Sequence, residues 1–314
     1  MNIIIYGGGA VGLGAAVSLL NNGEKVTIVD LPETVEHLRS KGIRQTGILG
    51  EYTIEPGSFH VYAGLEKVPA AEYDYVLVCI KSFISSEAAR EIRSCIDIVG
   101  KDTPIVLFQN GWGNAEKFIE HFPREQVFNA RVMTGFMKPE PHHVDITVHA
   151  DDVRAGSLFD VPSEILLPLC ESMTSGGLSC VTTDTVEKDL WAKMLYNCAL
   201  NPLGAMFNVK YGALGASSHT RGIMNNIIDE IFTVMHSAGH TTHWGTPDEY
   251  RELFYEKLVP VTAEHQSSML QDIRAKRRTE INAMNGAVVA LADEHNLEVP
   301  VNRTIAGMIH FIEG

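Results

Sequence analysis

An α/β domain followed by an all-helical domain is the fold class this sequence predicts, on three observations. A glycine-rich run at residues 7–12 separates a short apolar stretch from a helical apolar face. Strand and helix patterns then alternate as far as Asp184. Beyond that point every periodic segment reads as helix. With 314 residues, 45% of them hydrophobic, the chain can fill two cores. The expected division is 1–184 and 185–314.

Asn2–Tyr6 fits a buried strand, and Ala15, Ala16, Val17, Leu19 and Leu20 form the apolar face of the helix after it. Asn21-Asn22-Gly23 is a C-cap signal. Lys25–Val29 reads as a second strand, with Asp30 at its carboxyl end. The βα rhythm continues through a strand at 75–81, a helix at 85–98 and a strand at 104–108 that ends in Gln109-Asn110-Gly111. Between 127 and 159, alternation broken by Pro139, Pro141 and His142-His143 predicts antiparallel strands at one sheet edge. A helix at 163–174 and a last strand at 178–183 complete this part. Helices are then expected at 185–207, 221–238, 248–258, 267–294 and 303–312, separated by Gly, Pro, Ser and Thr clusters.

Gly7, Gly8, Gly9, Ala10, Val11 and Gly12 complete a GxGxxG pattern. Such a pattern alone is weak. Here it lies between strand and helix, with Asp30 eighteen residues past its last glycine, which is the context of a Rossmann dinucleotide-binding fingerprint. Its glycines let backbone N–H groups approach a pyrophosphate, and the helix N-terminus favours that negative charge. Asp30 can accept both hydroxyls of an adenosine ribose and repels a 2′-phosphate, Glu33 adds negative field and Leu31 offers no cation. The expected cofactor is therefore NAD(H) in preference to NADP(H). Lys81 and Asn110 stand at strand carboxyl ends, where ligands gather in open α/β sheets, although Asn-Gly also serves as turn chemistry.

The formal net charge of -14 disfavours nucleic acid and anionic membranes as partners and leaves a small molecule. No basic n-region or long apolar run opens the chain. The five cysteines form no CxxC pair and sit among apolar neighbours, so a reduced, cytoplasmic protein is expected. A homodimer is compatible with these features.

Lys193, Asn197 and Asn201 recur every four residues, which places them on one face of the helix at 185–207. Their neighbours Leu190, Trp191, Met194, Leu195, Cys198, Ala199 and Leu200 are apolar, so an ammonium and two carboxamides need partners there. Either they form a polar network between helices, or they wall a pocket where Lys193 gives up a proton and the amides hold a polar substrate. Glu280, among Ile273, Ile281, Met284 and Val288, reads either as facing a packed interior or as an exposed partner of Arg277 or Lys276. His236, His240 and His243 have spacings that suit a metal, but Gly239 and the Thr pair suggest solvated loop histidines. No metal is expected.

The chain resembles the ketopantoate reductase (2-dehydropantoate 2-reductase) family over essentially its whole length. The resemblance rests on GGGAVG at 7–12, VCIK ending at Lys81, QNG at 109–111, LWAKMLYNCALNPLGA at 190–205 and SSMLQDIRAKRRTEINAMNG at 267–286. It implies a Rossmann domain, then a helical domain like the C-terminal one of 6-phosphogluconate dehydrogenase. The implied activity is hydride transfer from NAD(P)H to the ketone of a 2-oxo acid, as in pantothenate biosynthesis. Lys193 matches the family's catalytic lysine and Glu280 its active-site glutamate. Asn197, Asn201 and Ser268 match substrate-binding positions, Lys81 and Asn110 positions near the cofactor, with Asn110 also touching substrate. Glu280 is expected to pair with Lys193 or to hold a substrate hydroxyl or the cofactor ribose. Were 267–294 one straight helix, Ser268 and Glu280 would lie ~18 Å apart, too far to share one small molecule.

Three positions depart from the family. Leu31 replaces the usual arginine for the 2′-phosphate, and Tyr211 and His265 stand where better-known members carry asparagines. These departures keep open an NAD-dependent D-2-hydroxyacid dehydrogenase acting on another 2-oxo acid. A non-catalytic NAD(H)-sensing regulator is disfavoured by Lys193 and Glu280, since a sensor needs no proton donor. The NCALNP and SSMLQDIR segments weigh against a phosphogluconate-type dehydrogenase.

Overall fold

The computed structural model describes residues 1–314, which divide into two compact units. One comprises Met1–Gln109 and Asn114–Val186; the other comprises Asn110–Gly113 and Glu187–Gly314.

The first unit is built on a ten-stranded sheet. Its elements run β1 (Asn2–Tyr6), α1 (Ala10–Asn21), β2 (Lys25–Val29), α2 (Pro32–Lys41), β3 (Ile43–Gly47), β4 (Tyr52–Ile54), β5 (His60–Tyr62), β6 (Tyr75–Val78), α3 (Ser85–Ser94), α4 (Ile96–Val99), β7 (Ile105–Leu107), α5 (Asn114–Ile119), β8 (Val127–Glu140), β9 (His143–Gly156), α6 (Leu167–Ser175) and β10 (Cys180–Thr182). The sheet order is β4-β3-β9-β8-β7-β6-β1-β2-β5, with β10 also on β9. From β8 through β5 all strands are parallel. The period of two in β1 buries both faces: Ile3 and Ile5 enter one apolar cluster and Ile4 the other. The order reverses at β1, so the glycine loop opens at a topological switch point.

The expectation of antiparallel strands at a sheet edge needs correction. β8 and β9 do pair antiparallel, but β3 docks on β9 in parallel and β4 forms the edge beyond it. Segments of 3 to 5 residues such as β3, β4 and β5 are too short to declare a period in sequence.

The second unit is helical: α7 (Val186–Phe207), α8 (Tyr211–Ala216), α9 (Ser218–Ser237), α10 (Pro247–Leu253), continued by a π-helical turn (Phe254–Leu258) into α11 (Val259–Val261), then α12 (Ser268–Arg274), α13 (Asn285–Glu294) and α14 (Pro300–Glu313). No helix is long and apolar enough to cross a membrane. α7 is buried on all sides from Met194 to Ala205. It passes through Pro202, which cannot donate to the Cys198 carbonyl. The Asn285 side chain supplies that hydrogen bond at 3.2 Å, so the helix continues.

The single helix expected at 267–294 is also corrected. α12 stops at Arg274, Lys276 takes a left-handed φ of 54°, and a 3₁₀ turn (Ile281–Ala283) precedes α13. Tertiary contacts override the helix propensity of AKRRTE. Arg277 donates from its backbone to the Asp272 carbonyl (2.8 Å) and from Nε to Asp272 Oδ1 (3.0 Å), and Thr279 N–H donates to Glu313 Oε1 (2.6 Å). The straight-helix separation of Ser268 from Glu280 therefore does not apply.

Candidate active site

In the first unit the glycine loop has the shape a dinucleotide requires. Gly7 adopts φ +112° against the Cys79 carbonyl, and a Cβ on Gly12 would overlap the Gly7 carbonyl oxygen. Without side chains there, α1 starts close behind the loop, and no side chain caps its first N–H groups. Asp30 follows β2; its Oδ1 accepts from the Leu31 N–H (2.6 Å), and its Oδ2 lies 2.7 Å from where a Gly8 side chain would begin. Leu31 is 73% exposed and brings no charge. The loop and the bare helix end together fit the pyrophosphate of an NAD(P)-type dinucleotide. Lys81 lies just beyond β6, at the N-cap of the short turn Ser82–Ile84.

In the second unit, Lys193 Nζ donates to Asn110 Oδ1 at 2.6 Å, and Asn110 Nδ2 stands 3.4 Å from Glu280 Oε2. One carboxamide thus connects an ammonium and a carboxylate that is 6% exposed. The Asn110 loop is pinned by its own backbone. Gly111 has φ +87° and meets the Ala283 carbonyl so closely that a Cβ would overlap it, while Trp112 N–H donates to the same carbonyl (2.8 Å). The Trp112 ring lies 4.6 Å from that of Trp191 and 4.8 Å from that of His240. Of the two readings of Glu280, the packed interior is the observed one, because Arg277 turns to Asp272.

Two turns along α7 the environment changes. Tyr211 is fully buried, and desolvation, then Tyr196, pushes its phenol well above the ordinary value. It therefore stays protonated and donates to Asn201 Oδ1. That fixes the Asn201 carboxamide, whose Nδ2 also contacts Met284 Sδ (3.6 Å). Asn197, 8% exposed, makes no side-chain hydrogen bond within the protein. Ser267 caps α12 by accepting from Leu270 N–H and donates to the Asn201 carbonyl (3.1 Å). Ser268, half-buried, is the first residue of that helix. His265 packs its ring edge-on at 5.2 Å from Tyr211, and burial lowers its pKa, so it is neutral at pH 7.

His236 lies at the end of α9, and His240 and His243 follow in the loop, half-buried and exposed, each with an acidic partner that the loop's own sequence does not contain. His240 Nδ1 is 2.8 Å from Glu187 Oε1 and His243 Nε2 is 3.0 Å from Asp189 Oδ1, two separate pairs that tie the loop to the start of α7.

Residues 3–158 match the family described as Ketopantoate reductase PanE/ApbA, and residues 185–313 match Ketopantoate reductase PanE/ApbA C terminal. A 2-dehydropantoate 2-reductase of Aquifex aeolicus is 37% identical over 310 residues, 98% of this chain and 96% of that protein. The chain belongs to the ketopantoate reductase family. A second relative, the 2-dehydropantoate 2-reductase of Halobacterium salinarum, is 27% identical over all of this chain and 99% of its own length. Among solved structures, a PanE/ApbA family ketopantoate reductase from Ralstonia eutropha has a TM-score of 0.84 at 25% identity, covering 100% of this chain and 98% of that one. A D-mandelate dehydrogenase solved with NADH and anilino(oxo)acetate shares the fold, with TM-score 0.88, 22% identity and the same coverage.

Against the family pattern, two features of this member were invisible in sequence. Tyr211 locks Asn201 through its hydroxyl, a contact across ten residues that no spacing rule flags. Lys138, on β8, donates to the Gly8 carbonyl at 2.8 Å across 130 residues of chain.

Proposed function

We propose that this protein is an NAD(P)H-dependent oxidoreductase that reduces the ketone of a small 2-oxo acid such as ketopantoate to the 2-hydroxy acid. Residues 1–184 serve as the nucleotide-binding domain and 185–314 as the substrate domain. The observation that carries the reading is the Lys193–Asn110–Glu280 chain of contacts, in which one amide links a proton donor to a carboxylate. When bound, a reduced nicotinamide would supply the hydride that the carbonyl carbon accepts. Lys193 stabilises the negative charge growing on the carbonyl oxygen and transfers its Nζ proton there. Glu280, through Asn110, helps orient the ammonium. Asn197 and Asn201 donate to the substrate's polar groups, and Ser268 binds its carboxylate or a hydroxyl. Lys81 and the loop from Gly7 to Gly12 bind the cofactor, with Glu280 and Asn110 near its nicotinamide half.

Assays of a panel of 2-oxo acids with NADH and NADPH test this reading. No turnover of any 2-oxo acid, with NADH bound normally, would return the protein to the class of nucleotide sensors. A second reading, a D-2-hydroxyacid dehydrogenase for another 2-oxo acid, is favoured by Tyr211 and His265. A phenol already engaged with Asn201 and a neutral imidazole offer less to a hydroxylated substrate tail than two asparagines would.

NADH is the proposed cofactor of choice, because Asp30 repels a 2′-phosphate and Leu31 provides no counter-charge. Wild-type kcat/KM is expected to be higher with NADH, and the double change Asp30→Ala, Leu31→Arg is expected to move preference toward NADPH. Equal or higher wild-type kcat/KM with NADPH would remove this preference.

The two asparagines should part company on substitution. Asn197→Ala is expected to lose about tenfold or more in kcat/KM, the worth of one hydrogen bond to a charged group, with Tm unchanged. Asn201→Ala should lose similar activity and also stability, about 1–3 kcal/mol, because the buried Tyr211 hydroxyl is left without its acceptor. Thermal melts beside kinetics separate the two. An Asn197→Ala loss that only tracks unfolding would make Asn197 part of the packing.

A further inference from the structure

α7 carries Lys193, Asn197 and Asn201 on a helix with a gap in its own hydrogen bonding. Pro202 has no N–H for the Cys198 carbonyl, so the gap opens just after Asn197 and encloses Asn201. Proline at such a place ordinarily kinks a helix, and a buried carbonyl without a donor is unfavourable. Here the donor comes from another element. Asn285, the first residue of α13 and 0% exposed, donates from Nδ2 to the Cys198 carbonyl at 3.2 Å and to Asn302 Oδ1, on α14, at 2.9 Å. That amide is oriented from behind. The Glu230 carboxylate on α9 accepts from the Val301 and Asn302 N–H groups, both at 2.8 Å, and from Asn302 Nδ2 at 2.7 Å, which turns Asn302 Oδ1 toward Asn285. Asn285 must therefore present N–H groups to both neighbours, and its Oδ1 is left without a partner in the core.

The segment at 280–285 gathers the site around this contact. Glu280 faces Asn110 Nδ2, the Ala283 carbonyl anchors the Trp112 N–H, Met284 Sδ meets Asn201 Nδ2, and Asn285 holds α7. We propose that Asn285 is a positioning residue for the reaction. By supplying the donor that Pro202 lacks, it sets the angle between the two halves of α7, and with it the placement of Asn201 relative to Lys193 and Asn197. It acts through the Cys198 carbonyl rather than on the substrate. Without that donor the helix tilts to expose or re-pair the bare carbonyl, and the two carboxamides no longer meet a substrate at their proper spacing. A misplacement near 1 Å at a reacting centre lowers rates by about 10²-fold.

The inference rests on the reading of Asn197 and Asn201 as substrate contacts, and the experiment separates the two. Kinetics with the best 2-oxo acid and NADH, thermal melts and hydrogen exchange of the α7 amides are compared for the wild type, Asn285→Ala, Pro202→Ala and the double variant. Alanine at 202 gives Cys198 a backbone donor but restores neither the lost volume nor a partner for Asn302. Asn285→Ala is expected to raise KM for the 2-oxo acid and to lose about tenfold or more in kcat/KM, with KM for NADH unchanged and faster exchange at 203–205. Pro202→Ala alone should stay near wild type. The double variant should recover most of the activity and the slow exchange, although its Tm stays lowered. Should Asn285→Ala not fold, Asn285→Ser takes its place, its hydroxyl one bond too short to serve both acceptors. A loss that Pro202→Ala does not correct would overturn the proposal and leave Asn285 as core packing, as would wild-type kinetics in Asn285→Ala. A wild type that turns over no 2-oxo acid would instead defeat the reading of the site. Exchange in α7 still tests Asn285 in that case, and unchanged exchange in Asn285→Ala would overturn its hold on the helix.

Discussion

Lys193→Ala is expected to reduce its best 2-oxo acid with a kcat lower by ~10²–10⁴, the usual contribution of a positioned proton donor, while still binding NADH. Cofactor affinity should survive because the glycine loop and Asp30, the proposed cofactor residues, belong to the first unit, whereas Lys193 belongs to the second. Folding should survive as well: Lys193 is half-buried, and the apolar residues around it on α7 carry the packing. Lys193→Arg keeps a cation but releases protons far less readily and has another shape, so strong impairment is expected there too. The wild-type pH profile gives an independent check. Reduction needs the protonated ammonium and should fall as pH rises through its titration; oxidation of the hydroxy acid needs the neutral amine and should rise over the same range. A Lys193→Ala enzyme working near the wild-type rate would refute this assignment and turn attention to Glu280 or a bound water.

Local pattern made one half of this site readable. The glycine run, the acid after β2 and the four-residue spacing on α7 lie within about thirty residues of each other or on a single helix, where strand and helix periods apply directly. The rest depends on contacts between distant segments. Nothing in AKRRTE forbids a helix, and only Asp272 and Glu313 reveal why the chain turns at Lys276. That turn brings Glu280 to Asn110, and no spacing within the strand–Gln109-Asn110-Gly111 stretch announces it. Likewise, β8 reads in sequence as a strand interrupted by Pro139, yet its length is what carries Lys138 to the loop. The short strands β3 and β4 were missed for the opposite reason, having too few residues to show alternation.

Asn110→Ala is expected to lower kcat by about 10²-fold with a smaller change in KM, because a misplacement near 1 Å at the reacting centre has that scale of effect. Asn110 touches both members of the proposed pair: its Oδ1 accepts from Lys193 at 2.6 Å and its Nδ2 faces Glu280 Oε2 at 3.4 Å. Truncation removes one of the contacts that set the direction of the Lys193 ammonium, so the proton donor would meet a substrate oxygen less well aligned. Loop collapse is not expected as the cause, since Gly111 and Trp112 anchor the backbone to Ala283 without the side chain. Asn110→Asp supplies the discriminating comparison. It keeps an acceptor for Lys193 but sets a second carboxylate against Glu280, and two like charges in a buried site disfavour double ionisation. The aspartate variant should therefore recover part of the lost activity and acquire a new pH dependence below neutrality, absent from the alanine variant. Kinetics of the three proteins across pH, with Tm measured alongside, decide the matter. Wild-type kcat in Asn110→Ala would show that Lys193 is oriented by Glu280 alone, and Asn110 would then be only a turn residue before Gly111.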